Sequence, residues 1–189
     1  MYSLFIDTHD IEIIIALYKD DKLVDSITKK STRHHSELIM PTIRTIIENN
    51  NLNVKDLGQI LVVNGPGSFT GVRLGVTIAK TLAYTLNIPI KTITSLEVIM
   101  VSSNCELPII HDVKGIFGGL FKDGNLVDDY FYMSNLEFKE YKNKHDYKIE
   151  ENYEIDFENV IKYFDNKQPL KAHEVNPLYI KIIEALKND

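Results

Sequence analysis

The residues best suited to chemistry form a glycine-rich stretch after an apolar run, Gly65-Pro66-Gly67-Ser68-Phe69-Thr70-Gly71-Val72-Arg73-Leu74-Gly75. A strand-to-helix turn of this kind can offer backbone N–H groups and a helix N-terminus to a phosphate. A P-loop, however, needs Lys and then Ser or Thr after its last Gly, whereas Val72 and Arg73 follow Gly71. The spacing also differs from the G-x-G-x-x-G dinucleotide fingerprint. Phosphate binding therefore stays one alternative for this loop.

The same stretch opens a predicted helix, residues 69–86, that is apolar on several sides. Small residues recur at every fourth position, namely Gly71, Gly75, Ala79 and Ala83. Such a stripe lets another backbone approach closely. Two apolar rows lie beside it, one containing Val72, Val76 and Leu86, the other Leu74, Ile78 and Leu82. This exceeds the single stripe that one core requires. Either both rows are internal, or one of them faces a partner.

Isolated acidic and histidine residues are the other candidates for catalysis. Asp7 follows the first apolar strand and could serve as a base or a magnesium ligand, but we favour a carboxylate that caps a turn. His34 and His35 are adjacent and the other histidines are scattered, so no His-Glu-x-x-His motif occurs. The sequence therefore predicts no catalytic residue, no metal site and no cofactor.

Composition limits the class of protein. The chain has 189 residues, 44% hydrophobic and 25% charged, which is typical of a soluble globular protein. Its apolar runs fall short of the roughly 20 residues that span a bilayer, and no signal peptide is evident. Cys105 is the single cysteine, which excludes an internal disulfide. We expect a cytoplasmic protein that does not associate with membranes.

Charge divides the chain into two unequal halves. Residues 1–102 carry 10 Lys and Arg against 10 Asp and Glu, whereas residues 103–189 carry 11 Lys against 17 Asp and Glu. The whole net charge of −6 therefore lies in the second half. Because nucleic-acid affinity depends on Lys and Arg that neutralise phosphates, the chain alone is a poor RNA or DNA binder. We predict a first lobe over residues 1–102 and a smaller acidic lobe over residues 103–189.

Hydrophobic periodicity predicts an α/β first lobe with a mixed sheet. The predicted strands are residues 2–6, 11–18, 23–28, 60–64 and 90–93, the first three forming an antiparallel meander. The predicted helices are residues 36–50, 69–86 and 95–101, with Pro41 expected to bend the first or delay its start. In the second lobe we predict a strand at 107–111, a hairpin of 115–122 with 126–133, and a C-terminal helix at 178–187. Residues 134–158 are charged and predict a solvated excursion with short strands.

The glycine-rich stretch closely resembles the signature of the TsaB (YeaZ) family. Three other segments match that family in order and spacing: Asp7-Thr8 after the first strand, His35-Ser36-Glu37 with Pro41, and Pro177-x-Tyr179-Ile180-Lys181. The matching motif residues are Asp7, Thr8, Ser36, Glu37, Gly65, Pro66, Gly67, Ser68, Thr70 and Tyr179. The likeness is strong over residues 1–101 and thin beyond them.

The resemblance implies an actin-like, sugar-kinase-type duplicated fold with a reduced second lobe. It also implies a non-catalytic subunit that binds the catalytic TsaD subunit, works with the small ATPase TsaE, forms a homodimer when alone, and reaches tRNA only through the complex. The reaction supported is threonylcarbamoyl transfer to a tRNA adenosine. The family interface corresponds to the first two helices, with contact residues Ile39, Ile43, Ile47, Gly71, Arg73, Gly75, Ile78, Ala79 and Leu82.

Two enzymatic alternatives remain. An actin-like nucleotide-dependent phosphotransferase would carry Gly beside the first-strand Asp, whereas the sequence here is Asp7-Thr8-His9-Asp10. A metallopeptidase would need a metal-binding motif that the sequence lacks. The second lobe also departs from the family: where Asp-Ala-Arg-Arg is usual, Asp112-Val113-Lys114 keeps the acid and loses both arginines. This change puts in doubt any contact with anionic ligands or with TsaE at that edge.

Overall fold

Alternating apolar residues in the first half of the chain form a five-stranded mixed sheet. The computed structural model describes residues 1–30 and 35–180. The strands are β1 Tyr2–Asp7, β2 Glu12–Lys19, β3 Lys22–Lys30, β4 Leu57–Val63 and β5 Ile90–Ile93. They are ordered β3-β2-β1-β4-β5, with antiparallel pairing from β1 to β3 and parallel pairing of β1 with β4 and β4 with β5. The predicted meander and mixed sheet are confirmed.

Helices cover both faces of this sheet. The helices are α1 His35–Asn49, α2 Phe69–Leu86, α3 Ser95–Ser103, α4 Asn135–Lys144 and α5 Phe157–Asp165. Successive strand residues point to opposite faces. Leu4 and Ile6 of β1 therefore pack with α1 and α2, while Phe5 packs with α3 and α5. The first sheet is thus the middle layer of a three-layer lobe.

The second half repeats part of this topology. Its strands are β6 Leu107–His111, β7 Gly115–Gly118, β8 Phe121–Lys122, β9 Asn125–Leu126, β10 Phe131–Ser134 and β11 Ile149–Glu150. The main second sheet is ordered β10-β7-β6-β11, which matches the order β3-β2-β1-β4 of the first. Pairing is again antiparallel except between β6 and β11, and α4 precedes β11 as α1 precedes β4. The predicted duplicated fold with a reduced second lobe is confirmed, since a counterpart of β5 is missing from this described sheet.

Residues 157–180 return to the first lobe. α5 buries Val160, Ile161 and Phe164 against the first sheet. Leu170 then forms a bridge with Ile90 of β5, and Val175 enters the core under α2. The boundary predicted near residue 102 lies at the end of α3, but residues 157–180 pack on the lobe that precedes it. The division into residues 1–102 and 103–189 stays a prediction.

Several predicted elements differ from the structure. α1 begins six residues before Pro41, so proline does not delay the start of the helix. The prediction of short strands over residues 134–158 holds for β11 but is wrong for residues 135–144, which form α4. The long predicted hairpin divides into β7 with β10 and a separate tip, β8 with β9. Leu178–Ile180, the start of the predicted C-terminal helix, are not helical, and residues 181–187 lie outside the described residues.

Within residues 1–30 and 35–180, none of the helices combines the length and the apolar character needed to traverse a bilayer.

Candidate partner-binding face and interlobe cleft

The small stripe of α2 serves the first lobe itself. A Cβ atom added at Gly71 would overlap the carbonyl oxygen of Thr8, and one added at Gly75 would overlap its Oγ1 atom. Thr8 Oγ1 donates a hydrogen bond to the Gly71 carbonyl over 2.7 Å. Ala79 and Ala83 continue the stripe and are buried. Glycine and alanine at these positions therefore let α2 lie close to β1.

Six of the nine predicted interface residues lie in this core. Ile39, Ile43 and Ile47 of α1 are 0%, 3% and 7% exposed. Gly71, Gly75 and Ala79 are buried in the same way. Residues four apart on a helix share one face, and here that face packs on the sheet. These six residues therefore support the two helices from inside, and their assignment to a partner interface stays a prediction.

The other three predicted residues lie toward solvent. Arg73 is exposed, and Ile78 and Leu82 are half-buried at the edge of the core. Exposed neighbours that the sequence interpretation missed include Met40 (47%) and Tyr84 (82%). We use the name outer face for one set of exposed and half-buried residues of α1 and α2. Its members are Ser36, Glu37, Leu38, Met40, Pro41, Arg44, Thr70, Arg73, Leu74, Thr77, Ile78, Thr81, Leu82 and Tyr84.

The glycine-rich loop before α2 packs against the turn between β1 and β2. Gly65 and Gly67 adopt positive φ angles of 103° and 152°, and a Cβ at Gly67 would overlap the backbone oxygen of His9. Ser68 N donates to that oxygen over 2.7 Å, while Ser68 Oγ accepts from Gly71 N and caps α2. Pro66 is buried, and its carbonyl accepts a hydrogen bond from Ser95 Oγ. These contacts give the loop a packing role, because the Ser68 N–H is already bound inside the protein.

Asp7 and His9 form a buried pair at the end of β1. His9 Nδ1 lies 2.7 Å from Asp7 Oδ1, and the same oxygen accepts from His9 N over 3.0 Å. Burial lowers the pKa of the His9 imidazole, but the charge and hydrogen bond of Asp7, with the charge of Asp10, raise it above its ordinary 6.5. Asp7 therefore caps the β1–β2 turn and holds a histidine that favours the charged form.

A cleft of about 460 Å³ separates this turn from the second lobe. Most of its lining is apolar, but it includes the carboxylates of Asp10 and Asp112. Its lining residues are His9, Asp10, Pro66, Gly67, Ser68, Phe69, Val72, Ile110, His111, Asp112, Val113, Phe117, Pro177, Leu178, Tyr179 and Ile180. None of these described residues is Lys or Arg, so the cleft offers a polyphosphate neither of the side chains that usually bind it.

The remaining motif residues lie around the first turns of α1 and α2. Ser36 and Glu37 are exposed on α1, and Thr70 is exposed on α2. Tyr179 lies against Phe69 and Arg73. The structure therefore brings together the outlying motif at Tyr179 and the glycine-rich signature, which are more than a hundred residues apart in the chain. A hydrogen bond between Arg73 and Tyr179 joins them.

In the part of the chain that the structure describes, no three His, Cys, Asp or Glu side chains form a group that could hold a metal ion. His34 and the side chain of His35, considered above for metal binding, lie outside the described residues.

Known proteins match this chain in sequence and in fold. The family model for TsaD, the tRNA N6-adenosine threonylcarbamoyltransferase, matches residues 23–112. The TsaB protein of tRNA threonylcarbamoyladenosine biosynthesis from Bacillus subtilis is 41% identical over 97 residues, covering 51% of this chain and 42% of that protein. The corresponding protein from Buchnera aphidicola is 34% identical over 96 residues, 51% of this chain and 45% of that protein. YeaZ from Pseudomonas aeruginosa superposes with a TM-score of 0.77 at 15% identity, covering 94% and 99% of the two chains.

These matches define the fold first and then indicate a family. The fold is the duplicated α/β fold of the actin-like type, with the strand order described above and the architecture of YeaZ. In the sequence of its first lobe and in its fold, the chain is similar to the TsaB (YeaZ) family. Its matching segment spans less than half the length of the two TsaB relatives. The predicted resemblance to this family and the predicted fold class are confirmed, and the two TsaB relatives are proteins of tRNA threonylcarbamoyladenosine biosynthesis.

Proposed function

We propose that this chain is a non-catalytic binding subunit that supports threonylcarbamoyl transfer to tRNA by a TsaD-type enzyme. In this proposal the outer face of α1 and α2 docks on the catalytic subunit. The observation that carries the proposal is the apolar content of that face. Met40 and Tyr84 are exposed, while Leu74, Ile78 and Leu82 are covered only in part by the lobe. Exposed apolar groups that adjoin one another are typical of protein-binding surfaces.

Likeness to the proposed partner supports the same surface. The TsaD family match over residues 23–112 contains both α1 and α2. Two proteins that share this helix pair can present equivalent surfaces to each other, as the subunits of a two-fold dimer do. The same reasoning supports a homodimer of this chain when the partner is missing.

The interlobe cleft supports a binding role in preference to the phosphotransferase alternative. The Ser68 N–H is engaged by His9, and Asp7 is held by His9 at the base of the turn. Asp10 and Asp112 line the cleft with negative charge, which disfavours a nucleotide phosphate. We therefore assign no catalytic residue, metal or cofactor to this chain. Contact with a TsaE-type ATPase, a cytoplasmic location and an indirect contact with tRNA complete the proposal.

Titration of the purified chain against the TsaD-type subunit of the same organism tests the proposal. Thr77→Arg places a large charged side chain on the outer face, at an exposed position midway along α2. We expect this variant to bind the TsaD-type subunit at least about tenfold more weakly, with its melting temperature unchanged. The arginine side chain would displace contacts between the two surfaces, and its charge would lose its hydration on binding. Asn143→Arg is the matched control, since Asn143 is an exposed residue of α4 in the second lobe.

A second measurement addresses the reaction. tRNA modification by the TsaD-type enzyme should increase when the wild-type chain is added and should respond less to Thr77→Arg. Absence of any binding by the wild-type chain contradicts the proposal. Turnover by this chain alone contradicts its non-catalytic part.

A further inference from the structure

Arg73 is held in one orientation by two aromatic rings. Its guanidinium carbon lies 3.8 Å from the centre of the Phe69 ring and 5.5 Å from that of Tyr179. Its Nε donates a hydrogen bond of 2.7 Å to Tyr179 Oη. Stacking and hydrogen bonding together restrict a side chain that is otherwise rich in rotamers. Arg73 is therefore ordered before any partner arrives.

The segment that contains Tyr179 forms hydrogen bonds with the first lobe at several points along its length. We call residues 170–180 the strap. Leu170 exchanges two backbone hydrogen bonds with Ile90, and Lys80 Nζ donates to the Val175 carbonyl over 2.6 Å. Leu178 N donates to the Asn64 carbonyl over 2.8 Å. These contacts fix the position of Tyr179 beside the first turns of α2, so the ring is part of a built surface.

The outer side of this cluster is open. Phe69 and Tyr179 are each 52% exposed, and Arg73 is exposed between them. Among residues 1–30 and 35–180, Arg73 forms no ion pair with a carboxylate, and its Nη groups make no hydrogen bond. A planar guanidinium with both Nη groups available matches a carboxylate, which it can bind through two parallel hydrogen bonds. Arginine flanked by aromatic rings is also characteristic of residues that dominate binding energy.

We propose that the strap completes the docking surface, and that Arg73, clamped by Phe69 and Tyr179, binds an Asp or Glu side chain of the partner protein. This inference rests on the proposed function and adds to it the chemistry of one contact. A carboxylate is favoured over an RNA phosphate because RNA binding depends on several Lys and Arg side chains acting together, and the residues that line the adjoining cleft include neither. Apolar atoms beside the partner carboxylate would contact the exposed parts of Phe69 and Tyr179.

Three variants separate the charge of Arg73 from the clamp that holds it. Affinity for the TsaD-type subunit is measured at 50 and 300 mM NaCl. Arg73→Ala should weaken binding at least about 30-fold, and Arg73→Lys about tenfold, because a lysine keeps the charge and loses the paired hydrogen bonds. Tyr179→Phe should weaken binding only about threefold, since it removes the hydroxyl from the clamp but leaves the guanidinium. Lys142→Ala, an exposed cation on α4, should bind like the wild type.

The result also distinguishes this inference from the proposed function. If the wild-type chain does not bind the TsaD-type subunit, the proposed function fails. If it binds and Thr77→Arg weakens binding while Arg73→Ala does not, only the Arg73 contact is overturned. If Tyr179→Phe and Arg73→Ala weaken binding equally and amide exchange in the strap becomes faster, the role of Arg73 is to hold the strap in place. That result would overturn the proposal. If Arg73→Ala instead loses binding to a tRNA transcript and still binds the TsaD-type subunit, the carboxylate contact is overturned in favour of a phosphate contact.

Discussion

The two lobes share a strand order but differ in how completely they are built. In the first lobe, five strands lie between two layers of helices, and both faces of β1 and β2 are buried. In the second, the strands are short, β11 has two residues, and one small cluster around Phe138 forms the described core of the α4 layer. α5 follows β11 as α2 follows β4, yet it packs on the first sheet. The helix that corresponds to α2 in the second half of the chain thus belongs to the core of the first lobe. We infer that the first lobe contributes most of the free energy of unfolding.

Paired truncations of buried phenylalanines give the strongest test of this comparison. Phe164 of α5 is 1% exposed and packs edge-to-face with Phe5, with ring centres 6.1 Å apart. Phe164→Ala should lower the free energy of unfolding by about 3–5 kcal/mol. Phe138→Ala should cost less, because its small cluster lies nearer the surface and can collapse around the gap. Chemical denaturation measures both costs.

Amide hydrogen exchange then shows which part of the molecule each substitution destabilises. Phe138→Ala should accelerate exchange in the second sheet and α4 alone, whereas Phe164→Ala should do so in both lobes. If the two variants cost the same and unfold the whole chain together, the lobes form a single cooperative unit and the comparison is wrong.

A smaller effect is expected from the contact between α2 and β1. Gly75→Leu would force a branched side chain against Thr8 and should cost about 1–3 kcal/mol through overpacking. Thr77→Leu, two residues further along the same helix, is exposed and should change the free energy of unfolding by less than about 0.5 kcal/mol. Thermal melting of Gly75→Leu and Thr77→Leu shows whether the small stripe packs inside the lobe or faces a partner. A folded Gly75→Leu protein of wild-type stability would show that the stripe does not pack inside.

Sequence reasoning succeeded where local signals and tertiary structure agree. The bounds of α2 and β5 were predicted to the residue, because Ser68 caps the helix and Asn87 ends it in the left-handed region. The resemblance to TsaB likewise rested on the first lobe. α4 was missed because few of its residues are apolar, although the spacing of Ser134 and Glu137 is a capping-box signal. α5 was missed although Val160, Ile161 and Phe164 have helical spacing.

The candidate interface was harder to predict, for a physical reason. Periodicity shows that α2 has more than one apolar row, but it does not say which row the sheet covers. Gly71 and Gly75 proved to face Thr8, and the surface is left to residues between the rows, such as Thr77 and Tyr84. Arg73 and Tyr179 are 106 positions apart in the chain, so no local pattern contained their contact.

The smallest expected effect concerns the Asp7–His9 pair, where the first lobe borders the cleft. Because the folded-state pKa of His9 is raised above 6.5, its charged form stabilises the fold. That contribution is fully present below about pH 6.5 and is lost as the pH rises through the folded-state pKa. The wild-type protein should therefore lose stability relative to His9→Gln between pH 6 and pH 9, in denaturation curves recorded at each pH. His173→Gln, at an exposed histidine of the strap, should keep the wild-type dependence. Parallel curves for the wild type and His9→Gln would show that the pair adds no pH-dependent stability, and that the turn is held by its backbone contacts with Ser68.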